Sequence, residues 1–298
     1  MIVVRFTGGL GNQMFQFALG THLAIKNKTE LKIDTTLLLD RSQPHEIVTH
    51  RNLDIDILNV KLNLATQEDI WYFNGRSFTN PMEKILNRIR WQFRKKNLVI
   101  ETERNFQASI LNLSDDKCLV GAWQSEKYFK AIEPEIRKLY TFKEILTGRA
   151  AELGKQIQNT NSLCLQVRRG DYVTSPVYSK TLGAMPIEYF QKSFELIKTK
   201  QSIEHIYIFS DDIQWCKENL KWPVATTYVE DEFPELKFGT YLHLMSLCKH
   251  FIIPNSSFGW WGAWLGNHKE KIVIAPKKWY KDPSYKSEDI VPESWIKN

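Results

Sequence analysis

The chain has 298 residues, of which 43% are hydrophobic, and it carries a formal net charge of +6. This length allows two hydrophobic cores, and so moderate a charge does not indicate a nucleic acid partner. No apolar run reaches the ~18 to 20 residues of a transmembrane helix, and the N-terminus lacks the pattern of a signal peptide. We therefore expect a globular protein of the cytoplasm.

The cysteines and aromatic residues narrow the class of protein further. The four cysteines lie far apart, in or beside apolar runs and outside any CxxC pair: Cys118, Cys164, Cys216 and Cys248. Their distribution favours reduced thiols in packed segments over a zinc site or a disulfide framework. Ten tryptophans and eleven tyrosines suit carbohydrate binding as well as ordinary cores.

The first predicted element is a β-strand at 2–6, and the stretch GGLGNQMFQ at 8–16 follows it. Glycine reaches φ > 0 and has no side chain to obstruct a ligand, so a glycine-rich loop after a strand usually brings backbone close to a ligand. A helix is expected at about 13–27 and a second strand at 30–34. The glycine loop of the first domain is therefore a candidate ligand-facing segment.

A basic amphipathic helix is predicted at 82–96, with apolar residues on one side and lysines and arginines elsewhere. Such a helix is most often an ordinary surface helix with a solvated face. It also suits an anionic lipid surface, so peripheral contact with the inner face of a membrane stays open as an alternative.

Strands and helices alternate regularly in the second half of the chain. The predicted strands are 162–167, 205–210, 225–229, 250–254 and 271–276, and the predicted helices are 186–199 and 212–219. This alternation predicts parallel sheets with crossover helices. Two such series predict two α/β domains, 1–150 and 151–298, that meet in the polar stretch between 147 and 162.

Three predicted strands of the second domain end in polar sequence: RRGDY at 168–172, SDD at 210–212 and NSSFGWWG at 255–262. Ligands of open α/β sheets bind outside the carboxyl ends of strands. Paired arginines can hold phosphate oxygens bidentately, or they can form a surface pair bridged to Asp171. The turn at 255–259 suits an anion, or it simply caps a helix at Ser256 or Ser257.

The tryptophans after the last of these turns, Trp260, Trp261 and Trp264, recur at spacings of three and four. That spacing favours one face of a helix packed in a core over a platform for sugar rings. We expect them to be buried.

A dinucleotide fingerprint is the main alternative for the glycine loop, because Gly9, Gly11 and Asp34 fit its spacing. Met14 stands where the fingerprint needs a third small residue for close packing of helix on strand. The sequence therefore argues against dinucleotide binding.

Two acidic stretches, 54–56 and 230–232, have the composition of divalent cation sites beside a diphosphate. The first lies in an apolar segment away from the arginines. Because two arginines can neutralise a departing diphosphate without a cation, we expect neither a metal nor any other cofactor.

Five motifs together resemble glycosyltransferase family 11, the bacterial α-1,2-fucosyltransferases, and they occur in the family's order along nearly the whole chain. They are GGLGNQMFQ (8–16), GAWQSEKYF (121–129), QVRRGDYV (166–173), FSDD (209–212) and NSSFGWWGAWL (255–265). The resemblance implies a GT-B architecture, in which two Rossmann-like domains face each other across a cleft. It also implies inverting, metal-independent transfer of L-fucose from GDP-fucose to the 2-hydroxyl of a galactose, in an oligosaccharide or a lipid-linked glycan.

The matched motifs supply the candidate residues for this reaction, and the contact of Arg168 with the donor is what the resemblance implies. Arg168 is expected to contact the β-phosphate and Asp171 is the nominated base, with a purely structural partnership between them as the alternative. The expected donor-binding residues are Gln166, Arg168, Arg169, Asp211, Asp212, Asn255, Ser256, Ser257 and Phe258. The residues expected beside the transferred sugar and the acceptor are Gly9, Gly11, Asn12, Gln13, Trp123 and Gln124.

The chain departs from the family pattern at Gln166, where the motif HxRRGDY usually begins with histidine. Glutamine donates and accepts hydrogen bonds but cannot become cationic, so donor affinity or its pH dependence is the property in question. Two other functions stay open: a transferase that uses another GDP-sugar or another linkage, and a catalytically silent, lectin-like glycan-binding protein.

Overall fold

The computed structural model describes residues 1–42, 49–74, 92, 97–230 and 238–298. Those residues form two compact units, Met1–Leu139 and Tyr140–Asn298. This division falls before the 150/151 boundary expected from the sequence. Except for Gln92, the helix predicted at 82–96 lies outside the described residues. No helix in the described ranges has the length and apolar character needed to cross a membrane.

Unit 1 is built on a four-stranded parallel sheet with the order β2-β1-β4-β3. Its strands are Ile2–Arg5 (β1), Leu31–Asp34 (β2), Leu98–Ile100 (β3) and Lys117–Val120 (β4). Its described α-helices are Leu10–Asn27 (α1), Gln67–Asn74 (α2) and Glu133–Leu139 (α3). Short 3₁₀ turns occupy Ile55–Ile57, Ala108–Asn112, Glu126–Tyr128 and Lys130–Ile132.

Unit 2 is built on a six-stranded parallel sheet with the order β10-β9-β8-β5-β6-β7. Its strands are Ser162–Val167 (β5), His205–Ser210 (β6), Ala225–Tyr228 (β7), His250–Ile252 (β8), Val273–Ala275 (β9) and Ile296–Lys297 (β10). Its described helices are Gly148–Asn159 (α4), Gly170–Thr174 (α5), Pro176–Thr181 (α6), Ile187–Lys198 (α7), Ile213–Asn219 (α8), Gly239–Ser246 (α9) and Ser257–Leu265 (α10). The predicted α/β class, with two parallel sheets, is confirmed.

The strand order of unit 2 contains a switch point, where the chain changes its direction of progress across the sheet, and this point lies between β5 and β8. The strands on either side lead their connections to opposite sides, so their carboxyl ends open a crevice in which ligands of α/β sheets bind. In unit 1, β1 and β4 are parallel neighbours, so their carboxyl ends lie side by side at one edge of the sheet. All but one of the motifs that carry the family resemblance begin in or shortly after β1, β4, β5 or β8.

The core of unit 2 lies between β5 and β6 and the helices that cover them. All six residues of β5 are buried, and Phe190 and Phe194 of α7 pack against Leu163 and Ile206 in the same cluster. Each such side chain contributes about 1.5–3 kcal/mol when it leaves water. The core thus holds β5 and β6 in place, and with them the polar segments that follow their carboxyl ends.

The three tryptophans of α10 are buried, as the sequence predicts, and Trp260 and Trp261 meet edge to face at 4.8 Å between ring centroids. Their burial anchors the helix whose first turn stands at the switch point. The four cysteines are buried free thiols.

Two helices differ from the sequence prediction: α4 occupies a stretch that was predicted as a domain boundary, and α1 begins earlier than expected. The polar stretch 147–162, predicted as a boundary, is mostly α4, in which Ala150, Gly154 and Ile157 are buried and the other residues are exposed or partly exposed. Helix α1 begins at Leu10 rather than near Gln13, because Gly9 caps it and the first turn is already buried. The glycine motif is therefore part loop and part helix.

Candidate active site

Arg168 directly follows β5 and lies between two carboxylates. Its Nη2 is 2.6 Å from Oδ1 of Asp171 in α5, and its Nη1 is 2.9 Å from Oδ2 of Asp211, which follows β6. Burial disfavours the charged guanidinium, but the two carboxylates outweigh burial and raise the pKa of Arg168 above its ordinary value. The guanidinium therefore stays cationic and oriented while its side chain remains 26% exposed.

Arg169 is held by different partners. Its Nε lies 3.0 Å from Oδ2 of Asp212, and its guanidinium stacks over the Trp215 ring at 3.9 Å from the centroid. Its backbone N–H donates to Oδ1 of Asp211 at 2.8 Å. The predicted acidic pair, Asp211 and Asp212, thus orients both arginines.

Gly170 explains why this loop can close so tightly. A Cβ at this position would collide with the carboxylate of Asp211. Without that close approach Asp211 could not reach both the Arg169 amide and the Arg168 side chain. The glycine of RRGD serves protein packing at this point.

The loop after β8 joins the loop after β5 through one hydrogen bond, in which Tyr172 Oη donates to the Asn255 carbonyl at 3.0 Å. Asn255 is buried, and its Nδ2 donates to the carbonyl oxygens of Leu182, Gly183 and Trp279. Its Oδ1 has no hydrogen-bond partner among the described residues. The Asn255 Nδ2 group therefore stabilises this turn, and its Oδ1 can accept a hydrogen bond from a further donor.

Helix α10 begins just beyond Asn255. Ser256 is its N-cap, and the Ser256 hydroxyl accepts from the Gly259 N–H at 3.5 Å. Ser257 and Phe258 form the first helical turn and are partly exposed. The capping role is thus observed, and the exposed start of the helix still presents backbone N–H groups and a partial positive charge to the switch point.

Gln166, in β5, is only 5% exposed and points toward this first turn. A Cβ on Gly259 would lie 2.6 Å from its Oε1. Its Nε2 donates to the Val167 carbonyl at 3.3 Å, and its Oε1 has no partner among the described residues. The predicted donor residues of unit 2 thus meet where β5, β6 and β8 end.

The predicted sugar-side residues of unit 1 divide into two roles. Gln13 is fully buried, and its side chain makes four hydrogen bonds to the backbone of Gly8, Asn52, Asp54 and Ile55. The structure therefore assigns Gln13 to bracing the loop, whereas the sequence suggested contact with a sugar.

Asn12, the neighbour of Gln13, keeps a partly exposed side chain. Its Oδ1 accepts from Gln124 Nε2 at 2.8 Å, which connects the segments that follow the neighbouring strands β1 and β4. Gly8 adopts φ +75°, and a Cβ there would strike the Asn12 side chain. Gly9 caps α1 and Gly11 lies buried in its first turn.

The sequence reasoning missed Gln16 and Glu101. Gln16 is buried, and its Nε2 donates to Gly121 O at 2.9 Å and to the Thr7 hydroxyl at 2.9 Å. Glu101 directly follows β3, and its carboxylate accepts hydrogen bonds from backbone N–H groups of the loop after β4. A glutamine inside an otherwise apolar helix and a glutamate that ends a β-branched run were the available signals.

The acidic stretches do not assemble with other ligand-type residues in the described part of the chain. Within it, no group of three or more His, Cys, Asp or Glu side chains has the arrangement of a metal site. Of the second stretch, 230–232, only Glu230 is described, and it pairs with Lys217.

A family model, Glycosyl transferase family 11, matches residues 1–298. The chain belongs to glycosyltransferase family 11. An Escherichia coli relative named alpha-1,2-colitosyltransferase is 31% identical over 304 residues, which cover 100% of this chain and 98% of the relative. The E. coli O-antigen biosynthesis glycosyltransferase WbnK is 32% identical over 302 residues, covering 97% and 98%. A Caenorhabditis elegans galactoside 2-alpha-L-fucosyltransferase is 26% identical over 318 residues, covering 100% and 79%.

The family assignment gives the geometry of unit 2 a chemical meaning. A glycosyltransferase must stabilise a leaving group whose negative charge grows as the bond to the sugar breaks. Arg168 and the start of α10 supply fixed positive charge at the switch point of unit 2. The crevice at that point is the candidate leaving-group site.

Proposed function

We propose that this chain transfers L-fucose from GDP-fucose to the 2-hydroxyl of a galactose in a glycan acceptor, with inversion and without a metal. The family assignment and the names of the relatives support this proposal, and they favour an acceptor in O-antigen or another surface glycan. The observation that carries it is Arg168, held in a fixed orientation by Asp171 and Asp211 where β5 ends.

In the proposed reaction the acceptor hydroxyl attacks the anomeric carbon from the side opposite GDP. The transition state has oxocarbenium character, as in glycoside hydrolysis, and the bond from the anomeric carbon to the diphosphate oxygen breaks. Arg168 binds the developing charge of the β-phosphate more strongly than the intact donor, so it lowers the barrier. The donor-binding roles of Arg169, Gln166 and the turn at 255–258 belong to the same proposal.

Asp171 can take two roles in this scheme. Its carboxylate already binds Arg168 at 2.6 Å, which suits a residue that orients the guanidinium. To act as the base it must release that contact when the diphosphate arrives and accept the proton of the acceptor hydroxyl. An Asp171→Asn variant separates the roles, because an amide still accepts one hydrogen bond but cannot take the proton.

Transfer of colitose is the second candidate, because a full-length relative carries the name colitosyltransferase. Colitose is fucose without the 3-hydroxyl group. A site that hydrogen-bonds this hydroxyl rejects the deoxy sugar by orders of magnitude, whereas an apolar site discriminates far less. The ratio of kcat/KM for GDP-fucose and GDP-colitose therefore identifies the donor.

One assay tests the proposal. The protein is incubated with GDP-fucose or GDP-colitose, with and without lactose, and with EDTA; GDP release is followed and the product linkage is determined by NMR. We expect acceptor-dependent GDP release, an α-1,2 linkage and full activity in EDTA. GDP-sugar binding without turnover would indicate a silent binding protein instead. Loss of activity in EDTA with recovery in Mg²⁺ or Mn²⁺ would overturn metal independence.

A further inference from the structure

The loop after β4 holds a tryptophan in a backbone conformation that tryptophan rarely adopts. Trp123 has φ +53°, in the left-handed region, where the backbone of a bulky residue is strained. Its side chain is 1% exposed and meets Tyr128 edge to face at 5.8 Å between ring centroids. Such strain persists only where surrounding contacts impose it, and one buried side chain accepts hydrogen bonds from two successive amides of this turn.

That side chain is Glu101. Its Oε2 accepts from the Ala122 N–H at 2.8 Å and its Oε1 accepts from the Trp123 N–H at 3.0 Å, so one carboxylate holds both amides of the turn. Its backbone N–H also donates to the Val120 carbonyl at 2.8 Å. The Glu101 side chain is 4% exposed, with Arg104 as its ion-pair partner at 3.3 Å.

Gly121 shows how closely the two loops approach. A Cβ there would collide with the Glu101 side chain, so this backbone position accepts glycine only. The Gly121 carbonyl in turn accepts a hydrogen bond from Nε2 of Gln16 in α1. The turn at 121–123 is therefore fixed from β3 on one side and from α1 on the other.

The turn presents the residue that follows it. Gln124 is partly exposed, and its Nε2 donates to Oδ1 of Asn12 at 2.8 Å. The Ser125 N–H donates to the Trp123 carbonyl at 2.9 Å, which closes the turn behind Gln124. If Trp123 returned to an ordinary backbone conformation, Gln124 would leave Asn12.

We propose that Glu101 is a positioning residue for the acceptor: by holding the Ala122 and Trp123 amides it keeps Gln124 and Asn12 together as one polar surface for the acceptor galactoside. This inference rests on the proposed function, because it presumes a sugar acceptor beside the carboxyl ends of β1 and β4. The Glu101 side chain is buried, so it acts through the loop.

A carboxylate is the side chain that this position requires. Two amide N–H groups point at two oxygens, and each hydrogen bond is strengthened by the negative charge. A glutamine would turn its NH₂ group toward one of these N–H donors and lose that bond. Burying a carboxylate is costly unless it is hydrogen-bonded and paired, and Glu101 is both.

The test uses Glu101→Gln in the full chain, with Glu103→Gln as the matched control, because Glu103 is exposed and lies two residues away. GDP affinity is measured by calorimetry, transfer to lactose by initial rates, and loop order by amide hydrogen exchange of 121–125. In Glu101→Gln we expect the KM for lactose to rise about tenfold or more, as for loss of a charged hydrogen bond. We expect GDP affinity within about twofold of the parent and faster exchange confined to this loop.

Each other outcome decides the question. Unchanged lactose KM with faster exchange would make Glu101 a structural residue only, and parallel losses of GDP and lactose binding would show a general defect. An equal effect of Glu103→Gln on the KM for lactose would mean that the loss of one negative charge, and not the position of Glu101, causes the change. If the parent transfers neither fucose nor colitose, the proposed function fails and this inference fails with it. If the parent transfers normally and only the variant's expected KM shift is missing, the inference alone fails.

Discussion

Oε1 of Gln166 lies over Gly259, so that a Cβ on the glycine would come within 2.6 Å of it. This contact puts the one polar side chain that departs from the family motif against the first turn of α10. The positive pole of that helix attracts anions and repels cations. A titratable residue at position 166 would therefore respond to whatever anion binds there.

We predict that Gln166→His makes GDP binding pH-dependent. Histidine titrates near ~6.5, whereas glutamine has the same charge at every relevant pH. A protonated imidazole is unfavourable beside the helix start until a diphosphate arrives, so the variant should bind GDP more tightly, relative to the parent, as pH falls from about 8 to 6. Calorimetric titration of both proteins across this range measures it. Parallel pH curves would remove position 166 from the donor site.

Arg168→Ala should reduce kcat by about 100-fold or more, by analogy with the loss of one preorganised donor to a developing charge. GDP-fucose affinity should fall less, because in the proposed complex Arg169 and the start of α10 also bind the intact diphosphate. Arg168→Lys is the matched variant: it keeps the charge but cannot reach Asp171 and Asp211 at once with a planar fork. Single-turnover rates and GDP titrations separate the two effects. An alanine variant with half of the parent turnover contradicts the assignment.

Substitutions at two neighbouring residues of the glycine motif, Gln13 and Asn12, should affect stability and acceptor kinetics differently. Gln13→Ala removes four hydrogen bonds, including those of the buried Asp54 and Ile55 N–H groups, and should lower the free energy of unfolding by at least about 2 kcal/mol. Asn12→Ala removes one partly exposed hydrogen bond, so its stability should stay within about 1 kcal/mol of the parent while the KM for lactose rises. Urea unfolding and acceptor kinetics on both variants give the comparison. Equal losses of stability would mean that Asn12 is structural as well.

Glu101 should make stability depend on pH in the acidic range. Burial raises the pKa of Glu101 above its ordinary value of 4.5, although the Ala122 and Trp123 amides and Arg104 oppose that rise. The folded state then binds this proton more tightly than the unfolded chain does. Stability from this residue is therefore present below pH 4.5 and is lost as pH rises through the raised pKa. The unfolding free energy of the parent, relative to Glu101→Gln, should fall as pH rises across that window; a flat difference contradicts it.

The central strands of unit 2 could be predicted to the residue. Runs 162–167 and 205–210 match β5 and β6 because both are continuous apolar strands bounded by polar sequence. In unit 1, β3 and β4 were missed. They have three and four residues, too few for a pattern to stand out from loop, and they are strands because β1 pairs with β4.

The sequence predicted which strand ends carry the candidate site, but it predicted less well in which direction the side chains point. The sequence located the motifs at the carboxyl ends of β5, β6 and β8, since parallel strands end at one edge. It could not give the start of α1, on which the direction of Gln13 depends. With Leu10 as the first helical residue, Gln13 and Gln16 are one turn apart and both turn inward. Glu101 was missed because its partners are backbone amides, which a sequence does not reveal.

The two inward-facing glutamines of α1 also set a rule for building chimaeras between family members. Gln13 is hydrogen-bonded to the segment 52–55, and Gln16 to the loop after β4, so two stretches distant in sequence are both anchored to the first turns of one helix. Grafting a single loop from a relative would break bonds that its new host cannot replace. Acceptor preference should therefore be transplanted only when residues 7–16, 52–55 and 121–125 are exchanged together.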